Sequence, residues 1–286
     1  MGGVRFPLPS LEPRSSMAKI ETSSLDIRYL DTLSHQDTPI HRLDPRIKLI
    51  TTLVFIVSVL SFDKYRITGI IPFALYPVVL ITLGNLPAVY LGKKILLAAP
   101  FAIFIGIFNP FMDRALMLQL GPIGISGGWI SFASIMTRFI LTVSAALILI
   151  ASTGFNTVCM ALERLGAPRL FSVQLLFLFR YIFVLVDEAS RMVRARSLRS
   201  FGGRGMGFGV YANMIGQLLL RTLDRAQRIH LAMRCRGFDG EIPMVRPLRI
   251  SGRDVGFVLG WSSFFVTMRL YDAPQWLGKV VTELIQ

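Results

Sequence analysis

The sequence predicts an all-α integral membrane protein with about five transmembrane helices and a cytoplasmic module of long helices. Hydrophobic residues make up 53% of the 286-residue chain and mean hydropathy is +0.57, above the roughly 45–50% apolar share of soluble domains. Several long apolar runs account for the excess and read as membrane spans. The formal charge of +14 collects between those runs: the block from Asp187 to Arg253 holds thirteen arginines, no lysine and five acids. Lysine and arginine gather in the cytoplasmic segments of membrane proteins. A basic nucleic-acid-binding protein would be polar as well, so the expected partner is the lipid bilayer and not nucleic acid.

Residues 1–46 form a mixed polar segment with Pro7, Pro9 and Pro13. It contains no apolar h-region, so no secretory signal is expected, and Met17 is a candidate start. The first apolar runs are Leu49–Phe62 and Ile67–Leu83, separated by Asp63-Lys64-Tyr65-Arg66. Both are short against the ~20 residues of a full crossing, but Arg46, Lys48 and Arg66 can snorkel. Gly84–Lys94 reads as a connector and Ile95–Phe111 as the third span. A glycine-rich loop follows, then the fourth span, Trp129–Thr153, which contains Arg138. These four spans make a membrane domain over 47–153.

Phe155–Leu165 reads as a short amphipathic helix, stopped at Gly166-Ala167-Pro168. Arg169–Val186 is apolar, yet Arg180 divides it, and a charge at the bilayer centre costs at least about 2.5–3.5 kcal/mol. With the N-terminus in the cytoplasm, four spans return the chain inside. A further crossing there would turn the arginine block outward, against the positive-inside rule. Residues 154–253 are therefore expected to form a cytoplasmic-side module. Val255–Met268 is the last span, within 254–270, and 271–286 is a tail. A re-entrant pair formed by the first two runs, or six spans with the N-terminus outside, are the alternatives.

Within the module, Arg169–Ser200 reads as one helix. Phe201–Gly209 carries five glycines and reads as a flexible turn. It lacks the GxxxxGK[ST] pattern and a preceding strand, so nucleotide binding there is not expected. Ala212–Arg236 forms a second helix with a stripe at Ile215, Leu219, Leu223, Ala226, Ile229 and Met233. Arg221, Arg225 and Arg228 fall on another face, and Gly237 ends the helix.

Ala195-Arg196-Ser197 and Cys235-Arg236-Gly237 repeat one three-residue pattern forty positions apart. Each arginine lies near the end of a long helix between small residues, which allow a partner's wall to approach closely. A guanidinium's planar fork suits bidentate pairing with carboxylates. Breaking such a pair costs about 3–5 kcal/mol if water is excluded and under about 1 kcal/mol if it is exposed. Two similar basic motifs point to two similar acidic partners, hence to a coupling device driven by a pair of soluble subunits.

Catalytic and metal chemistry find little support. Cys159 and Cys235 are too few for a disulfide framework. His35, His41 and His230 show no metal-ligand spacing, and His35 and His41 read as solvated loop residues. Asp187 and Glu188 are expected to satisfy neighbouring guanidiniums. Arg138 and Arg180 read either as partners of helix ends and acids in the bundle or as charges at headgroup level. A self-sufficient permease or channel for a small solute would carry polar groups within its spans. Only Asn109, Gln119, Arg138 and some hydroxyls are available, with no intramembrane acid. A membrane-embedded lipid enzyme needs a nucleophile with its base, or clustered carboxylates, and neither is apparent.

Taken in order, several segments carry a resemblance: Ile40-His41-Arg42-Leu43-Asp44-Pro45-Arg46-Ile47-Lys48-Leu49, then Arg138, then Ala161-Leu162-Glu163-Arg164-Leu165-Gly166-Ala167-Pro168, then Arg180, Asp187-Glu188 and the two arginine motifs. Over roughly 25–270 the chain resembles the transmembrane (T) component of energy-coupling factor transporters, in the cobalt and nickel branch called CbiQ or NikQ. The resemblance implies a non-catalytic scaffold of an ABC-type importer in the bacterial cytoplasmic (inner) membrane. Its implied partners are two ABC-type ATPases and a substrate-binding (S) membrane subunit of the CbiM or NikM type, with or without a small accessory membrane subunit. Ala195–Ser197 and Cys235–Gly237 would dock into the two ATPases, which bind the ATP; this chain would bind no cofactor itself. ATP-driven closure would push the coupling helices and topple the substrate subunit, importing Co²⁺ or Ni²⁺. The family's commonest motif is Ala-Arg-Gly. Ser197 and Cys235 depart from it, but both are small.

Overall fold

A computed structural model describes residues 29–63, 68–112, 116–120, 123–199, 207–239 and 251–270. The expectations for residues 1–28, for most of the glycine-rich turn (200–206) and for the tail 271–286 lie outside the described residues. The chain divides into two compact units, one containing 30–167 with the stretch from 244 onward, the other containing 168–243.

The first unit opens with α1 (Pro45–Leu60). Asp44 is its N-cap, its side chain accepting from Arg46 N, with Pro45 in the first turn, a favoured start for a helix. A 3-10 turn (Ile71–Ala74) leads into α2 (Leu75–Leu83). The third expected span begins earlier than its apolar run. α3 (Ala88–Gly106) takes in Lys93 and Lys94; it starts directly after Pro87, and the single Gly92, a cost of about 1 kcal/mol, does not stop it. After α4 (Asn109–Met112) the expected loop contains an antiparallel hairpin of β1 (Leu116–Leu120) and β2 (Ile123–Ser126), with Leu120 opposite Ile123. Elsewhere the described elements are helical: α5 (Gly127–Thr153), α6 (Phe155–Arg164) and α9 (Gly252–Leu270) in this unit, α7 (Arg169–Arg199) and α8 (Phe208–Cys235) in the other. Three of them, α3, α5 and α7, are long and apolar enough to cross a membrane.

Side-chain contacts fix the direction of each helix in the first unit. Lys48 Nζ, near the start of α1, donates to Ser152 O in the last turn of α5 at 2.9 Å. Arg138 Nη2 on α5 donates to Asp63 O just beyond α1 at 2.6 Å. These two helices are therefore antiparallel, and each supplies a cation to the other's C-terminal end, where unpaired carbonyls and the helix dipole favour one. For α9 the order is reversed. Asp254, in its first turn, accepts from Asp44 N at 3.0 Å, while Arg269, in its last, donates to Ser61 O at 2.8 Å and lies 4.6 Å from the Phe62 ring. So α9 runs parallel to α1. Phe62 meets Phe73, whereas Leu80 lies in the cluster around Lys48 and Ser152, so 71–83 runs back down. A Cβ at Gly106 would meet Phe132 at 2.9 Å, placing the end of α3 beside the start of α5. The order along the unit is up (α1), down (71–83), up (α3), down (α5), up (α9).

An aromatic cluster fills the middle. Phe55 stacks on Tyr76 at 4.7 Å and tilts against Phe265 at 5.4 Å, and Trp261 meets Tyr76 edge-on at 5.0 Å. Thr52 Oγ1 and Tyr76 Oη lie 3.1 Å apart. Lipid tails are as apolar as these rings, so inside a bilayer the gain is close packing and not burial from water. Each aromatic pair adds about 0.5–1.5 kcal/mol.

At the Lys48 end, α5 breaks into α6 at Gly154 (φ 77°), where a Cβ would meet Ser34 Oγ at 2.7 Å. The expectation for His41 is corrected here: it is half-buried and not solvated. Its Nδ1 lies 2.6 Å from Thr38 Oγ1 and its Nε2 3.1 Å from Leu33 O. Nε2–H thus donates to the carbonyl and Nδ1 accepts from the hydroxyl, and burial holds the ring below its ordinary pKa. His35 is exposed.

Asp254 is the most consequential acid of this unit. It is 3% exposed and accepts from two backbone N–H groups, Asp44 N and Ser251 N. Asp254→Ala is expected to cost about 2–4 kcal/mol through two orphaned donors, read as a lower unfolding midpoint in detergent. Asp254→Asn, which keeps an acceptor oxygen, should lose less. Asp37→Ala, which removes only the exposed Arg42 pair, should leave the midpoint unchanged.

Candidate functional site

The second unit is built on α7 and α8. Both are amphipathic along their length, and neither has more than a few buried side chains. They run antiparallel. Near one end the Phe177 and Phe238 rings meet at 6.4 Å; further along, Arg221 Nη1 donates to Glu188 Oε1 at 2.8 Å. Glu188 is largely covered, its side chain 16% exposed, while Arg221 is exposed. The expectation that Glu188 satisfies a guanidinium thus holds, with the arginine supplied by the other helix. Asp187 and Arg180 are exposed on α7, and Arg225 and Arg228 continue along the face of α8 that bears Arg221.

The first motif lies in the last turn of α7. Ala195 and Arg196 are exposed and Ser197 is half-buried, its hydroxyl donating to Arg194 O at 2.8 Å. The second motif is a helix end. α8 stops at Cys235, Arg236 is the C-cap, and Gly237 takes φ 81°. Gly237 N donates to Arg234 O and Phe238 N to Met233 O, both at 3.0 Å. This is the paired Schellman arrangement, and its left-handed residue favours glycine. Phe238, the residue after the glycine, then packs on Phe177. The same closure ends α6 at Gly166 (φ 110°), with Gly166 N on Glu163 O and Ala167 N on Leu162 O, both 3.1 Å.

Since Phe238 meets Phe177 and the first motif lies about nineteen residues further along α7, the two motifs stand at opposite ends of the pair. At ~1.5 Å per residue they are about 30 Å apart.

A groove of about 640 Å³ opens beside the first motif. Arg191, Ala195, Arg196 and Arg199 of α7 line one wall; Val210, Asn213, Gln217 and Arg221 of α8 line the other, with Met192 and Met214 between. Among the described residues Arg191, Arg196 and Arg199 make no ion pair. Sequence reasoning missed Arg191, Arg199, Asn213 and Gln217, because only the antiparallel register brings them together. The apolar stripe of α8 is largely not the face that α7 covers. Ile215, Leu219 and Leu223 are 50–65% exposed, and of that stripe only Ile229 and Met233 are half-buried. The reason is geometric: α7 meets α8 along its Val210–Met214–Arg221 side.

Among the described residues no group of three or more His, Cys, Asp or Glu side chains could hold a metal ion. Cys159 is buried and Cys235 exposed, both as free thiols.

A distance measurement tests the antiparallel placement. Spin labels at an introduced Leu198→Cys and at native Cys235 should report a separation centred at roughly 30 Å. A parallel pair would bring the same labels within about half that distance.

Comparison with known proteins places this architecture. The family model described as cobalt transport protein, CbiQ, matches residues 36–245. An uncharacterized protein of Methanocaldococcus jannaschii is 30% identical over 77% of this chain and 78% of its own length. The energy-coupling factor transporter transmembrane protein EcfT of Heliobacterium modesticaldum is 26% identical over 82% of this chain and 94% of its own. The cobalt transport protein CbiQ of Salmonella typhimurium is 30% identical over 51% and 70%. The chain belongs to the CbiQ family of cobalt transport proteins, the T components of energy-coupling factor transporters.

Proposed function

We propose that this chain is the coupling scaffold of an energy-coupling factor importer. Arg196 and Arg236 each seat in one of two ABC-type ATPase subunits. ATP-driven closure of that pair moves α7 and α8, and the movement passes to a membrane subunit of the CbiM or NikM type that binds Co²⁺ or Ni²⁺. The chain itself catalyses nothing and binds no cofactor; ATP belongs to the ATPases. The observation that carries this reading is the placement of two similar arginine motifs about 30 Å apart, at opposite ends of one helix pair. Two separate acidic sockets can take them at once.

Helix directions support a five-span topology in the bacterial inner membrane. Because α1 and α9 are parallel and α5 is antiparallel to them, the stretch 168–251 begins and ends on the same side. It crosses the bilayer an even number of times or not at all. α7 is apolar enough to cross, but α8 carries Arg221, Arg225 and Arg228 within its length, and charges inside a bilayer-spanning helix are costly. Neither helix therefore crosses, and both lie on the cytoplasmic side with the arginine block.

The test is charge reversal in the complete complex. Arg196→Glu combined with Arg236→Glu should release the ATPases on purification and reduce Co²⁺ or Ni²⁺ uptake to background, while membrane insertion and unfolding midpoint stay near wild type. Either single change should leave one ATPase contact and weaken retention partially. Uptake that survives the double change, or uptake by this chain alone, would sink the proposal.

A further inference from the structure

The groove beside Arg196 is more than one projecting side chain needs. It is walled by both helices, and three of its arginines, Arg191, Arg196 and Arg199, have no ion-pair partner among the described residues. Its one acid, Glu188, is already held by Arg221 at 2.8 Å. An unpaired guanidinium cluster of this kind attracts an anion.

Two features select the class of anion. The first is direction. Phe208, Tyr211, Ile215, Leu219 and Leu223 form an exposed apolar row on α8. At ~100° per residue that row lies about 160° around the helix from the groove wall. Whatever apolar medium covers the row, the α8 wall of the groove faces away from it. The second is chemistry. Asn213 and Gln217 bring carbonyl acceptors as well as amide donors. Peptide N–H groups use such acceptors, and the phosphate oxygens of a lipid cannot. Met192 and Met214 give a floor that adapts to a side chain, and an apolar floor with a polar rim is the anatomy of a protein interface.

We infer that this groove receives an acidic segment of an ATPase subunit, so that the first docking site is a socket built by both helices, with Arg191, Arg199, Asn213 and Gln217 as contact residues beside Arg196. This rests on the proposed docking of Arg196. The motif projects into the ATPase while the groove accepts a projection from it, and the carboxylates of that segment pair with Arg191 and Arg199.

Site-specific photocrosslinking in the assembled complex tests it. The photoreactive residue p-benzoylphenylalanine is placed at Asn213, at Gln217 or at the exposed neighbour Leu198, and adducts are identified by mass spectrometry. Capture of an ATPase subunit from both groove positions is the expected result. Arg191→Gln with Arg199→Gln should abolish that capture and weaken ATPase binding about tenfold, the scale of a lost charge-assisted contact, with a flatter dependence on salt. If both groove positions give lipid adducts or none while Leu198 still captures an ATPase, the groove inference is wrong and the docking of Arg196 stands. If Leu198 also captures no ATPase, the docking itself fails and the inference with it.

Discussion

The ends of α1 set the rest of the bundle. A bilayer supplies no hydrophobic drive between helices, since lipid covers an apolar face as well as a neighbouring helix does. Polar contacts at helix ends therefore decide which helices associate and in which direction. Lys48, 5% exposed, reaches the last turn of α5, and Arg138 of α5 reaches back to the far end of α1. Asp254 and Arg269 tie α9 to the same two ends. Each contact satisfies a backbone group at a helix terminus or just beyond it, so reversing any helix would orphan groups at both of its ends. The aromatic cluster of Phe55, Tyr76, Trp261 and Phe265 then packs within an order already determined.

That order has a consequence for the basic helices. The chain leaves the bundle through α6, next to the Lys48 end, and returns at Ser251, which shares Asp254 with that end. A segment whose two ends meet the bundle at the same end crosses the bilayer an even number of times or not at all. Among the contacts that join the described parts of α7 and α8 are a partly exposed ion pair, worth under about 1 kcal/mol, and an aromatic contact worth about 0.5–1.5 kcal/mol.

Much of this was legible in the sequence where local chemistry decides. Gly237 as the closing residue of α8, Gly166-Ala167-Pro168 as the stop after α6, and the uninterrupted helix from Arg169 all follow from residue types in sequence. Arg138 was legible only as an alternative, because its partner, Asp63 O, lies 75 positions away. Lys48 and Asp254 gave no signal of their importance: a single lysine and a single aspartate beside apolar runs look like ordinary flanking charges. The stripe on α8 did not reveal the partner face, because apolar periodicity identifies a face that avoids water, not the face a neighbouring helix covers. The hairpin 116–126 was missed because four glycines overshadowed a brief alternation of leucines.

The two motifs differ in how their arginines are held. Arg236 is a C-cap, fixed by the backbone closure through Gly237 and Phe238, so its side chain leaves the helix at its very end. Arg196 belongs to a helical turn, with Arg199 beyond it. Both sit where the helix dipole is negative. That end favours the arginine and repels an approaching carboxylate, each by about 0.3–1 kcal/mol. A lone arginine there would offer a partner's acid little net attraction. Additional cations overcome this: Arg191 and Arg199 near the end of α7, and Arg234 at that of α8. On the proposed docking, the arginines around each motif offset the helix dipole, and a single arginine grafted onto a neutral helix end would not reproduce that.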